Sequence, residues 1–409
     1  MGDTELDTPI GRFTIRRGAT PPDSPLRAWS AADRLAIEDA LAHGPTQRTA
    51  SGATSARILV VNDAWGAVTV PIVAQRGVAQ VSVWNDSALA RRAIAANLAE
   101  NELPNVEHVP GDRWPTGHFD GVVFGVPKSH DLLEWQARGV ATIAGADTRV
   151  VVAGMSRHLG RLGGADGPGA VVELLERHLG AVRPRRAVGK ARLLDIDPPV
   201  ASSRAKGADP IGDEPAFTIP SGVRDRPVRV FGAPGVFSAG HLDVGTALLL
   251  HTLLDGRSDR SDAPFNLGGV TRIADLGCGN GVLGTTLAVA APDAEVTFFD
   301  ASDLALAAAR ATWMATGLGD RARFVVADGM PQEHGSFDLV VSNPPFHHGH
   351  AFDEHLTGRL LTRAVERLVP GGQLVFVAQR HLELHRSRRL PPLETLSGHP
   401  SHVVFATRR

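Results

Sequence analysis

Two series of alternating strand and helix signals, one in each half of the chain, constrain the fold more than any other feature. In the second half the run Arg272–Leu276 leads into Gly277-Cys278-Gly279-Asn280-Gly281 and then a helix. Val296–Phe299 reads as the next strand and ends at Asp300, followed by an Ala-rich helix over Leu304–Thr316. Arg323–Ala327 ends at Asp328, and Phe337–Val341 runs into Ser342-Asn343-Pro344-Pro345-Phe346-His347. A helix over Gly358–Leu368, the turn Pro370-Gly371-Gly372 and a strand over Gln373–Ala378 complete the series. Short apolar runs alternating with helical stretches imply a parallel sheet covered on both faces.

The first half follows the same plan. Strands are expected over Arg57–Val61, Val78–Trp84, Phe119–Val126 and Arg149–Ala153, with helices over Ala88–Glu100 and Ala170–Leu179. Asn62 and Asp86 lie 24 residues apart, as Asp275 and Asp300 lie 25 apart. Phe119-Asp120 matches Phe337-Asp338, with Pro127 and Pro345 each seven residues after its Asp. This spacing points to an internal duplication giving two tandem doubly wound α/β domains. The copies differ in chemistry. The first has the single Gly66 where the second has three glycines, and Val126-Pro127-Lys128 in place of Asn-Pro-Pro-Phe, so it is expected to be degenerate. The expected division is 1–196, a Pro/Ser/Gly/Asp-rich linker 197–227, and 228–409.

With 409 residues and 43% hydrophobic content there is material for two cores. No run approaches the ~18 apolar residues of a membrane span, and the acidic, Thr-rich start does not read as a signal peptide. The single Cys278 excludes an internal disulfide and fits a reducing cytoplasm. Net charge is −2, so nucleic-acid binding would have to rest on local basic patches. Candidates are Arg183, Arg185, Arg186, Lys190 and Arg192, and Arg380, Arg386, Arg388 and Arg389. Tyrosine is absent, leaving Phe, Trp and His to stack on a base.

Glycines after a strand let the backbone turn sharply and let a ligand approach it closely, and in a doubly wound sheet ligands lie at the carboxyl ends of the strands. The glycines at two, four and six residues after Asp275 fit a nucleoside-bearing ligand, with Asp300 placed for a ribose hydroxyl pair and Asp328 for an adenine amino group. Cys278 sits in this loop as a small residue. Pro344 forces Asn343 out of the helical region, and the two prolines donate no N–H, so the Asn343 side chain and the Pro344 carbonyl form a stiff pair of acceptors. Phe346 offers a flat stacking face. That combination suits a planar substrate with an NH2 group. His347, His348 and His350 have no Cys or Asp cluster in register, and no metal is expected.

The glycine loop, the strand-end Asp300 and Asn-Pro-Pro-Phe-His together resemble the guanine-N2 ribosomal RNA methyltransferases. Gly235-Val236-Phe237-Ser238 and Leu242-Asp243-Val244-Gly245 match the segment that family carries before its first strand. Arg380-His381-Leu382, Val126-Pro127-Lys128 and Lys190-Ala191-Arg192-Leu193 look more like the large-subunit (23S) branch than the small-subunit (16S) one. The resemblance covers about residues 57–195 and 228–409. It implies two Rossmann-like methyltransferase domains, the first degenerate and serving folding and RNA holding, the second catalytic with S-adenosylmethionine. It also implies ribosomal RNA as partner, Phe237, Asp275, Gly277, Cys278, Gly279, Gly281, Asp300, Asp328 and Asn343 around the cofactor, and Asn343, Pro344 and Phe346 at the target base. A paired base reaches such a pocket by flipping. Similar Asn-Pro-Pro-aromatic loops serve adenine N6 and protein glutamine, and a non-catalytic RNA-binding assembly factor could keep the same fold. Nothing in the sequence favours a monomer or a dimer.

Overall fold

The computed structural model describes residues 4–18, 26–43, 56–159, 169–197, 209–220, 226–254, 267–344, 347–348, 351–352, 354–382, 384 and 392–409. The chain divides into two compact units, Met1–Pro210 and Ile211–Arg409. The boundary falls inside the stretch expected as a linker.

The first unit opens with a hairpin, β1 (Glu5–Thr8) and β2 (Gly11–Thr14), and the helix α1 (Ala31–Ala42). Then come β3 (Ala56–Val61), α2 (Thr69–Ala74), β4 (Val78–Asn85), α3 (Ala88–Glu100), β5 (Glu107–Pro110) and β6 (Gly121–Gly125). The unit continues with α4 (His130–Ile143), β7 (Arg149–Met155), α5 (Ser156–Leu159), α6 (Gly169–Leu179), β8 (Ala181–Pro184) and β9 (Ala191–Asp197). Helix α4 and strand β5 were not foreseen. Their apolar positions are diluted by polar residues, and their place becomes evident only from the sheet they complete.

The second unit starts with β10 (Phe217–Ile219), β11 (Val228–Val230), α7 (Val244–Leu254), β12 (Arg272–Leu276), α8 (Val282–Ala290), β13 (Glu295–Asp300), α9 (Asp303–Met314) and β14 (Ala322–Val326). It ends with β15 (Phe337–Ser342), the short β16 (His347–His348) and β17 (Ala351–Phe352), α10 (Glu354–Glu366), β18 (Leu368–Gln379), β19 (Glu394–Gly398) and β20 (His402–Arg408). Strand β10 lies within the expected linker but pairs antiparallel with β11, so it belongs to this unit.

The two seven-stranded sheets have one topology. The order is β5-β4-β3-β6-β7-β9-β8 in the first and β14-β13-β12-β15-β18-β20-β19 in the second. The first five strands of each order are parallel, and the sixth runs antiparallel to both of its neighbours, so the seventh points the same way as the first five. In the second sheet, Leu339 and Val341 join a core with Leu249, Leu253, Leu283 and Leu287. Val340 joins a different core with Leu361, Leu368 and Phe376. Period-two alternation thus feeds two cores from one strand, which is why β15 is apolar at nearly every position.

Register corrects the alignment of the two copies. Val60 pairs with Val123 and Val83, as Asp275 pairs with Val341 and Phe298. The counterpart of Asp275 is therefore Val60, and that of Asp300 is Asn85, rather than Asn62 and Asp86. A shared clamp at the other end of the strands supports the match. The Arg57 amide donates to Asp120 and its guanidinium lies over Phe119; the Arg272 amide donates to Asp338 and its guanidinium lies over Phe337. The structural end of the repeat is kept in both copies, whereas the chemistry-bearing end is kept only in the second.

Candidate active site

Strand β12 lies between β13 and β15, and the chain leaves β12 through the glycine loop. Gly277, Gly279 and Gly281 have φ of 68°, 53° and 73°, a left-handed region that a side chain enters at a cost of about 1–2 kcal/mol. The Gly277 and Cys278 amides donate to the Phe299 carbonyl, at 2.8 and 3.0 Å. The Gly279 amide donates to Asp300 Oδ2 at 2.9 Å, and the Ser302 amide to Asp300 Oδ1 at 2.9 Å. Asp300 therefore staples the glycine loop to the end of β13 while its remaining lone pairs stay available. Burial raises its pKa, against the pull of the backbone amides of Gly279, Ser302 and Ala301.

Asp275 is fully buried. Its Oδ2 accepts from the Gly284 amide at 2.8 Å, but Oδ1 has no partner. Burial pushes its pKa up to about 8, with the nearby Asp300 charge adding to the rise. Helix α8 comes this close because Gly284 has no side chain: a Cβ there would lie 2.6 Å from the Phe298 ring and 3.0 Å from Asp275 Cβ. Cys278 is buried, and desolvation followed by the charges of Asp300 and Asp275 pushes its thiol well above the usual range. A protonated buried thiol is a packing group rather than a nucleophile.

Phe237 is 68% exposed, in a segment tied to the loop by Asn280 Nδ2 donating to the Ser238 carbonyl at 3.3 Å. Asp328 follows β14 and is half-buried. The Ala327 amide, just before it, donates to the Asp300 carbonyl at 2.8 Å.

The chain leaves β15 beside this loop. Buried Ser342 donates through Oγ to the Leu276 carbonyl at 2.7 Å, fixing the end of β15 against the end of β12. Asn343 and buried Pro344 come next. The Asn343 amide nitrogen donates to Asp243 Oδ2 at 3.1 Å and to Thr246 Oγ1 at 3.0 Å. The structure thus brings Asp275, Asp300, the glycines, Asn343 and Pro344 to one edge of one sheet. Pro345, Phe346 and His350 lie outside the described residues, and of His347 and His348 only the backbone is described. Asp243 and Thr246 went unassigned in the sequence. The available signal was an Asp just before an apolar helix, which reads as a simple cap.

The equivalent edge of the first unit is sealed by its own side chains. Asp63, where the second unit has Cys278, accepts from the amides of Trp65, Gly66, Val68 and Thr69 and from the Thr69 hydroxyl. Asn85 Nδ2, in the place of Asp300, donates to the Asp63 carbonyl at 2.9 Å. Asn62 is held by Gly125 and Gln136. Asn85 thus offers no free carboxylate where the second unit has Asp300.

Among the expected phosphate contacts, Arg185 is bound to Asp39 and Asp195, Arg183 pairs with Asp197, and Arg380 donates to the His399 carbonyl. Arg186 and Lys190 are exposed beside the tight Gly189-Lys190 turn, whose φ values of 56° and 68° suit a two-residue hairpin. Arg386, Arg388 and Arg389 lie outside the described residues. No group of three His, Cys, Asp or Glu that could hold a metal occurs among the described residues, and no described helix is long and apolar enough to cross a membrane.

A sheet of this order, with a glycine loop after its central strand and an Asn-Pro loop after the strand beside it, is that of a Rossmann-like methyltransferase. Residues 227–403 match the family model described as methyltransferase small domain, and residues 3–200 match the RLMG N-terminal domain. Ribosomal RNA large subunit methyltransferase G of Stutzerimonas stutzeri is 35% identical over 98% of this chain and 98% of its own. The protein of that name from Streptomyces coelicolor is 36% identical over 98% and 99%. The T. thermophilus 16S rRNA N2 G1207 methyltransferase, solved with AdoMet and guanosine, superposes with a TM-score of 0.71 at 21% identity, covering 99% of this chain and 97% of that one. The likeness to this last protein is one of fold. The chain belongs to the ribosomal RNA large subunit methyltransferase G family.

Proposed function

We propose that the second unit methylates the exocyclic N2 amine of a guanine in large-subunit ribosomal RNA, with S-adenosylmethionine as donor. The observation that carries this reading is the Ser342 to Leu276 bond, which sets the Asn343-Pro344 acceptors directly beside the glycine loop. The residues present fit the cofactor. A Cβ on Gly277 or Gly279 would project into open space, and Asp275 Oδ1 is an orphaned buried polar atom beside the loop. Bound S-adenosylmethionine supplies an electrophilic methyl group on a sulfonium. Asp300, with lone pairs left over from its amide contacts, takes the ribose hydroxyls, and Asp328 faces the adenine.

The guanine amine is a poor nucleophile because its lone pair is delocalised into the ring. Asn343 Oδ1 and the Pro344 carbonyl accept its two hydrogens and turn the lone pair toward the methyl group, so positioning and fixed dipoles provide the catalysis. With the cofactor bound, the oriented amine would take the methyl in line with the departing thioether, and its extra proton would pass to water. Phe346 stacks on the flipped base, an effect of about 1–3 kcal/mol. The first unit takes no cofactor and contributes RNA contact through Arg186, Lys190 and Arg192. A ribosomal RNA substrate fits a cytoplasmic location.

The test is methyl transfer from labelled S-adenosylmethionine to large- and small-subunit RNA, naked and assembled, followed by nucleoside analysis. Label in N2-methylguanosine of the large-subunit RNA is expected. Label in N6-methyladenosine or in protein glutamine would overturn the reading.

A further inference from the structure

An asparagine can face a substrate with either its oxygen or its NH2 group, and the two ends read opposite partners. At Asn343 two residues at the start of α7, about 100 positions earlier in the chain, meet the amide. Its Nδ2 has two hydrogens, and two acceptors meet it: Asp243 Oδ2 at 3.1 Å and Thr246 Oγ1 at 3.0 Å. A carboxylate has no proton to offer the amide oxygen, so the reversed orientation would set oxygen against oxygen at Asp243, while the Thr246 hydroxyl, able to donate or accept, adds a second contact that holds the amide in place. Among the described residues no donor meets Oδ1. Asp243 is itself held still, since the same Oδ2 accepts from the amides of Gly245 at 2.9 Å and Thr246 at 3.1 Å at the start of α7. Gly245 leaves room for this arrangement, as a Cβ there would come within 3.0 Å of Asp243 Oδ2. Thr246 is buried, and α7 is anchored in the core through Leu249, Leu250 and Leu253.

We propose that Asp243 and Thr246 are positioning residues that lock the Asn343 amide with its oxygen toward the substrate, so that the site selects a planar ring carrying an NH2 group. This rests on the methyltransferase reading of the same site. Without the lock the amide would sample both orientations, and the NH2-outward form would repel the amine it must orient.

The test compares Asp243→Ser with Thr246→Val, singly and combined, against Asp243→Asn and Asn343→Ala. Serine keeps a cap for α7 but is one bond shorter, valine keeps the shape of threonine, and Asp243→Asn keeps both a cap and an acceptor. In single-turnover methylation of the RNA substrate, the combined variant is expected to lose about 10- to 100-fold in rate, somewhat less than the 10²–10³ typical of deleting a preorganised group outright. Its S-adenosylmethionine Kd and its RNA KM should stay within about threefold of wild type, the pattern of an interaction made only in the transition state. Asp243→Asn should recover most of the rate. A combined variant with full rate, or one that also loses cofactor binding, would overturn the proposal. So would an Asp243→Asn rate as low as that of Asp243→Ser. If Asn343→Ala itself turned over normally, the site reading would fail first, and the lock with it.

Discussion

Replacing Gly279 and Gly281 by alanine, one at a time, should separate the fold requirement of the loop from its ligand requirement. Both glycines have positive φ, 53° and 73°, so each alanine pays a left-handed penalty of about 1–2 kcal/mol. Their surroundings differ. A Cβ on Gly281 would lie 2.8 Å from Ala309 Cβ and 2.9 Å from Ala309 Cα, which belongs to the backbone of α9 and cannot rotate away. Overpacking of that kind adds about 1–3 kcal/mol, so Gly281→Ala should lose about 2–5 kcal/mol of stability. A Cβ on Gly279 meets nothing within 4 Å, leaving only the backbone penalty. That same open space is where the proposed cofactor would lie against the loop, so Gly279→Ala should bind S-adenosylmethionine about 100-fold more weakly. The assay is urea unfolding with and without ligand at 100 times the wild-type Kd. Wild type should gain about 2.7 kcal/mol from the ligand, and Gly279→Ala only about 0.4 kcal/mol. Undiminished ligand stabilisation in Gly279→Ala would refute the reasoning, as would an apo stability loss equal to that of Gly281→Ala.

Asn343→Ala should lower methylation at least about 100-fold while equilibrium dialysis shows a nearly unchanged cofactor Kd, and joint loss of binding would remove the role given to Asn343. Asp275 and Asp39 should respond to pH in opposite directions. Asp275 has its pKa raised by burial to about 8, so its contribution to stability is complete below its ordinary 3.8 and is lost as pH rises through about 8. Unfolding midpoints of the ligand-free protein should fall from pH 5 to pH 8 more steeply in wild type than in Asp275→Asn, and equal slopes would count against it. Burial alone would raise the pKa of Asp39, but its hydrogen bonds and ion pairs with Arg149 and Arg185 outweigh that and hold it below the usual range. Its stabilisation is present above the ordinary carboxylate pKa and fades as pH falls through the lowered value. Asp39→Asn should therefore cost about 2–4 kcal/mol at pH 7, the lower end of a broken buried pair because both arginines are about one-third exposed, and little at acid pH.

Much of the candidate site was legible locally. Three glycines and an acid bracketing a strand end, or Asn-Pro-Pro after another, impose backbone conformations that no distant contact is needed to read. The same local character misled the alignment of the two halves, since Asn62 and Asp86 have the right chemistry near the right spacing. Register assigns the places to Val60 and Asn85, because the fit is decided by which residues pair across the sheet.

The sequence alone determined the fold class, the inequality of the two copies and the location of the glycine and Asn-Pro loops, all set by periodicity and by residues whose φ range is restricted. Tertiary structure alone decided which charges are free and which way Asn343 faces. Arg185 looked like a phosphate contact until Asp39, 146 residues away, proved to hold it. Asn343 could have presented either end until Asp243 and Thr246 met its nitrogen. Hydrogen bonds and ion pairs are settled by distances of about 3 Å between side chains, and for residues so remote in sequence only the completed fold fixes those distances.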